Sequence, residues 1–203
     1  MGLDLAGRTI LEVGAGIGDH TEFFLDRGCK VTVTEGRAEN LAVLRKRFPS
    51  LDVQMLDLDR PDPTIDCNAE IGYCYGTLYH LSRPAEGLRF LASRCSDLLL
   101  LETCVSPGPG QEINLVDEFR QSPSQAVSGR GCRPTRSWIY TELASHFAHV
   151  YMSRTQPWHP EFPLDWNTEF GPTQLTRAIF VASREPLHNE NLSTEILDVQ
   201  VRH

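Results

Sequence analysis

Long apolar runs are missing from this chain. None approaches the roughly 20 consecutive apolar residues that a spanning helix needs, so no membrane segment is expected. Basic charge is also short: 19 Lys and Arg against 27 Asp and Glu leave a net charge of −8. No electrostatic footprint for a nucleic-acid partner stands out, which argues against a duplex or RNA substrate. Cys29, Cys67, Cys74, Cys95, Cys104 and Cys132 lack any C-x-x-C spacing and several fall in apolar runs. That pattern favours reduced, packed thiols over a disulfide framework or a zinc site. No internal repeat or low-complexity segment occurs, and Asp4 interrupts what would have to be a signal sequence, so a cytoplasmic location is expected.

What is present is an ordinary globular composition, 40% hydrophobic and 23% charged over 203 residues, enough for one α/β domain with a real core. The spacing predicts strands at Thr9 to Val13, Lys30 to Glu35, Leu51 to Met55, Ala69 to Tyr75 and Leu98 to Leu101. Helical patterns lie between them: Gly18 to Arg27 with Phe23 and Phe24 facing the sheet, Ala38 to Phe48, and a helix opened by Pro84. This alternation predicts a mostly parallel sheet covered on both faces. Residues 105–134 break the rhythm with four glycines and four prolines, and around Leu115 to Arg120 one short helix is expected. Thr135 is placed to cap the next helix. Two late strands are predicted at His149 to Arg154 and Thr176 to Ser183, with an aromatic-rich irregular stretch at 155–175 between them. The domain is expected to span 1–184, with 105–134 and 155–175 as substrate-side loops and 185–203 as a polar tail.

The first strand ends in Leu11-Glu12-Val13-Gly14-Ala15-Gly16-Ile17-Gly18, a strand feeding a helix through alternate glycines. Such a turn lets backbone N–H groups approach a ligand closely. Three further stations follow in order: Glu35 ends the second strand, Asp57 follows the third, and Cys74-Tyr75-Gly76-Thr77-Leu78-Tyr79-His80-Leu81 follows the fourth. Taken singly, Glu35 reads equally well as a solvated strand end and Asp57 as a turn cap. A dinucleotide site is the rival ligand, but its G-x-G-x-x-G spacing is not met.

Together these residues resemble class I S-adenosylmethionine-dependent methyltransferases of the small-molecule type. The resemblance is close from Arg8 to Thr103 and extends in topology beyond. It implies a Rossmann-like three-layer α/β sandwich, with a mostly parallel seven-stranded sheet and an antiparallel last strand. It also implies S-adenosyl-L-methionine as cofactor and S-adenosyl-L-homocysteine (SAH) as product. In that resemblance Gly14, Gly16 and Gly18 wrap the methionyl end, Glu12 holds the cofactor ammonium from beneath, and Asp19 caps the helix or contacts the amino-acid portion. Glu35 accepts the ribose hydroxyls, Asp57 and Leu58 meet the adenine, and the carbonyl of Cys74 meets the amine.

His80 is the candidate general base, since its unperturbed pKa suits proton transfer near neutrality, although a capping or packing role fits the same position. Tyr75 and Tyr79 are candidate substrate contacts, and His20 reads as packing. Trp158 and His159 are candidate pocket wall in the stretch that also holds Glu161 and Asp165, with plain packing as the alternative. No recognisable ligand spacing supports a metal. Cys104 and Cys132 have no activating partner.

The expected function is methyl transfer to a small-molecule hydroxyl or carboxyl oxygen. An RNA or protein methyltransferase and a non-catalytic cofactor-binding subunit are the alternatives. The oligomeric state stays open, a homodimer included.

Overall fold

A computed structural model describes residues 2–171 and 173–202; Met1, Pro172 in the predicted 155–175 loop and His203 in the predicted tail lie outside it. The first half alternates strand and helix: β1 (Thr9–Val13), α1 (Thr21–Leu25), β2 (Lys30–Glu35), α2 (Ala38–Arg47), β3 (Asp52–Met55), β4 (Ala69–Tyr75), α3 (Pro84–Arg94) and β5 (Cys95–Val105). An insertion follows, made of β6 (Leu115–Asp117) paired with β7 (Arg130–Cys132), and then α4 (Arg136–Ala144). The chain closes with β8 (His149–Ser153), β9 (Thr155–Gln156), β10 (Thr176–Ser183), β11 (Leu192–Ser193) and β12 (Val201–Arg202).

The main sheet has the order β3-β2-β1-β4-β5-β10-β8-β11. Strands β1 to β5 are mutually parallel, while β10 runs antiparallel to both β5 and β8. The α/β sandwich and its antiparallel late strand follow the sequence reading; the eighth strand, β11, does not. It comes from the predicted tail, where Leu192 is buried against β8.

Two cores cover the two faces. On one side Phe24 of α1 and Leu41 and Leu44 of α2 pack on Ile10, Val33 and Ile71. On the other, Leu88 and Leu91 of α3 and Ile139 and Leu143 of α4 pack on Leu11, Val13, Leu99 and Phe180. The chain leaves β1 toward β2 and β3, then returns to place β4 on the other side of β1. Ligands of open α/β sheets bind at such a reversal, beyond the carboxyl ends of the strands.

Three local readings are corrected. The first helix is five residues long instead of spanning 18–27, because Gly16 and Gly18 take positive φ and keep residues 14–20 in turns. Phe24 faces the sheet but Phe23 is exposed, with the Arg27 guanidinium 3.6 Å from its ring centroid. Residues 115–117 are a strand rather than a helix, since antiparallel pairing with 130–132 supplies the backbone partners a short helix would have to find locally. Thr135 does cap α4, accepting the Trp138 backbone N–H.

Candidate active site

At the β1–β4 reversal the backbone of the glycine turn is shaped by contact. Gly14 has φ +63, and a Cβ there would meet the Thr77 side chain at 2.2 Å; the Thr77 hydroxyl in turn donates to the Val13 carbonyl. Gly16, also at positive φ, has open space where a side chain would stand, so this peptide is reachable from outside. Gly18 behaves differently. A Cβ there would strike Phe48 and Leu44, and the residue lines neither of the two cavities around the turn.

The first cavity, about 280 Å³, runs from Gly14 and Gly16 past Glu35 to Asp57 and Leu58, and is bordered by Gly76, Tyr79 and His80. Glu35 is buried, accepting the Gly16 N–H at 2.9 Å on Oε2 and the Arg37 N–H at 2.9 Å on Oε1. A carboxylate oxygen has two lone pairs, so each retains one for a ligand. Asp57 accepts the Asp59 N–H at 3.0 Å, which is the turn-capping role weighed for it, while still lining the cavity. Leu58 is buried beside it.

The second cavity, about 400 Å³, shares Val13, Gly14 and Gly16 with the first and adds Glu12, Asp19, His20, Tyr73 and Tyr75. Glu12 lies under the turn, and its carboxyl accepts the Thr21 hydroxyl at 2.6 Å. Burial pushes its pKa up to about 7, which that hydrogen bond only partly opposes. Asp19 is exposed and paired with Arg47 at 2.9 Å. His20 Nδ1 lies 3.1 Å from the Tyr73 hydroxyl and its ring meets Tyr75 edge-on at 4.6 Å. His20 thus joins an aromatic wall of the cavity that includes Tyr73, which the sequence reading passed over.

Cys74 lines neither cavity. It lies in mid-sheet between Val13 and Leu101, with a thiol that burial pushes up to about 12. Trp158 and His159, expected as pocket wall, line neither cavity, and Trp158 is 80% exposed. The loop turns Phe162 and Trp166 inward instead, and Trp166 Nε1 donates to Gln200 at 2.8 Å. All six cysteines are free and buried. No cluster of metal-ligating side chains occurs among the described residues.

Several contributors escaped the sequence reading because their partners are distant in the chain. Glu102 of β5 is buried, accepts the Gly76 N–H at 2.9 Å and pairs with Arg177 at 3.0 Å. Arg177 also donates to Glu161 at 2.5 Å and to the Tyr79 hydroxyl at 3.2 Å. This network braces the turn after β4. Residues 118–129 of the insertion cover the site, and Pro123 and Ser124 line both cavities. Arg37, two residues past Glu35, holds this loop through the carbonyls of Arg120, Gln125 and Ala126, and Asn40 Nδ2 donates to Pro123 O.

Strand order and reversal point give a Rossmann-like α/β fold, one that S-adenosylmethionine-dependent methyltransferases of solved structure share. No protein-family model and no curated protein matches the sequence. Among solved structures, the N-terminal domain of EvdMO1, crystallised in the presence of SAH and D-fucose, is similar at a TM-score of 0.67. It is 21% identical, over 87% of this chain and 76% of that one. SAM-bound CalS10, an amino pentose methyltransferase from Micromonospora echinaspora, is similar at a TM-score of 0.59 and 19% identity, over 88% and 84% of the two chains. The [4+2]-cyclase SpnF is also similar, at a TM-score of 0.52 and 17% identity, over 72% and 53%. The fold is therefore common to methyltransferases and to at least one enzyme of other chemistry.

Proposed function

We propose that the protein is an S-adenosylmethionine-dependent methyltransferase that modifies a small molecule at a hydroxyl or carboxyl oxygen. One observation carries the reading: four stations scattered along the chain, at Gly14–Gly16, Glu35, Asp57–Leu58 and Gly76–His80, line a single cavity. The residues present fit the cofactor. Gly16 leaves room for backbone approach, Glu35 keeps acceptor capacity for a pair of ribose hydroxyls, and Leu58 offers apolar surface beside an acid able to accept an adenine amino group.

When bound, the cofactor supplies an electrophilic methyl on a sulfonium. The chain's own residues then hold, orient and exclude water. Glu12 and Asp19 line the cavity proposed for the amino-acid end, toward which the Cys74 carbonyl is the further candidate. Tyr75 and Tyr79 are the candidate acceptor contacts, and His80 the candidate base for an acceptor hydroxyl. Most of the rate advantage in such a displacement comes from alignment, and a positioned base typically adds about 10²–10⁴-fold. The covering loop 118–129, together with the acidic net charge, favours a small acceptor over RNA or a protein chain.

Because a cyclase shares this fold, activity has to be read directly. Incubation with methyl-labelled S-adenosylmethionine and a metabolite pool, followed by mass spectrometry, should give a labelled small-molecule product. Tight SAH binding with no labelled product would instead favour the non-catalytic or non-transfer reading.

A further inference from the structure

Glu118 follows β6, its side chain 3% exposed. One oxygen, Oε2, lies 2.5 Å from His80 Nδ1 and accepts the Ala126 backbone N–H at 2.7 Å. The other, Oε1, accepts from Arg133 Nη1 at 3.4 Å. A carboxylate that accepts hydrogen bonds from a backbone amide and a guanidinium is an acceptor, so the short contact to His80 puts the imidazole proton on Nδ1. Nε2 is left with its lone pair, and no described residue bonds it. His80 itself lines the first cavity.

The same carboxylate fastens the covering loop. Ala126 lies on the loop's far arm, next to the Pro123–Gln125 stretch that lines the site. Val127 is so close to Gly36 that an added Cβ there would meet it at 3.2 Å. Lifting the loop away from α2 would draw Ala126 off Glu118 and disturb the carboxylate that holds the imidazole.

We propose that Glu118 is the positioning residue for His80, and that it makes this histidine's readiness to take a proton depend on closure of the 118–129 loop over the site. The proposal rests on the methyltransferase reading above. In the step it serves, the acceptor hydroxyl's proton passes to Nε2, and the imidazolium so formed already has its Nδ1–H held by a carboxylate before releasing the new proton to solvent. The surroundings suit a base. Burial holds the His80 pKa below its ordinary value, Glu118 raises it, and Arg133 and Arg177 lower it, with the Tyr79 ring 4.0 Å away. Burial thus favours the neutral ring, and the carboxylate works against it by favouring the protonated one.

The test is nitrogen-15 NMR of the histidine rings across pH, on full-length protein without ligand and with SAH, the His80 signals being assigned by His80→Gln. Wild type should show a neutral ring protonated on Nδ1, in slow exchange with water. In Glu118→Gln and Glu118→Ala that Nδ1–H signal should be lost and the His80 pKa should fall. The Ala126 amide should exchange roughly tenfold faster or more, as befits loss of a bond to a charged acceptor. Arg37→Ala, which leaves the dyad's own atoms intact, should speed the same amide and weaken protection of the Nδ1–H. Unchanged tautomer and titration of His80 in a folded Glu118→Gln would overturn the positioning role. An unchanged Nδ1–H in Arg37→Ala despite faster loop exchange would overturn the coupling. Failure of wild type to bind SAH would instead overturn the methyltransferase reading, a result separable from the ligand-free histidine data.

Discussion

Glu12 is buried at the floor of the site, with the Thr21 hydroxyl as its one hydrogen-bond donor among the described residues. Its carboxyl is pushed from 4.5 up to about 7 by burial. Between those values the native state binds a proton that the unfolded chain has released, so stability falls as pH rises through that window, and the cost persists above it. In Glu12→Gln, urea unfolding at pH 5 and pH 8 should show this slope flattened. At pH 8 the variant should be the more stable by on the order of 3 kcal/mol. A slope equal to that of wild type would show that Glu12 ionises freely in the fold. The acid was legible in the sequence as part of the glycine-turn pattern; its raised pKa was not, because burial is a property of the folded chain.

The insertion is the element that departs most from the sequence reading. Its glycines and prolines announced an irregular segment, and that much was legible. The β6–β7 pairing was not, since strands of three residues carry too little alternation to register, and Leu115 to Arg120 reads locally as a helical turn. Nor was the hold on the loop, which uses Arg37 and Asn40 at the start of α2 against carbonyls more than eighty residues away. Arg37→Ala removes the bonds to the Arg120, Gln125 and Ala126 carbonyls without touching the core. Tryptic cleavage at Arg120 should then accelerate several-fold, with the melting temperature lowered by only a few degrees (about 1 kcal/mol of net hydrogen bonding). Cleavage at the wild-type rate would mean that other contacts hold the loop.

Across the whole molecule, β1 to β4 were legible nearly to the residue, and the apolar run Leu98 to Leu101 marked only the middle of β5, which runs from Cys95 to Val105. Composition makes the end of the chain a polar tail, yet it packs through polar groups that composition cannot reveal. Gln200 is buried, accepts from Gln156 at 2.9 Å and from Trp166 at 2.8 Å, and donates to the Ser153 carbonyl at 2.5 Å. Arg136, also buried, donates to the Leu197 carbonyl and stacks 4.0 Å from the Trp166 ring centroid. Replacing Gln200 by Ala strands those partners and should cost roughly 2–4 kcal/mol in chemical denaturation. A cost below about 0.5 kcal/mol, the usual range for surface substitutions, would show that the tail is peripheral to the fold.

The central claim is that the β1–β4 crevice, with Glu35 at its middle, is a site for S-adenosylmethionine. Thermal unfolding with SAH measures it most directly, comparing wild type with Glu35→Ala and, to preserve one acceptor for the Gly16 amide, Glu35→Gln. At a concentration a hundredfold above Kd, binding stabilises by about 2.7 kcal/mol. For a chain of this size that is a rise of roughly 5–10 °C. The account predicts such a rise in wild type and its loss or near-loss in both variants. No rise at millimolar SAH, or an equal rise in all three proteins, would contradict it.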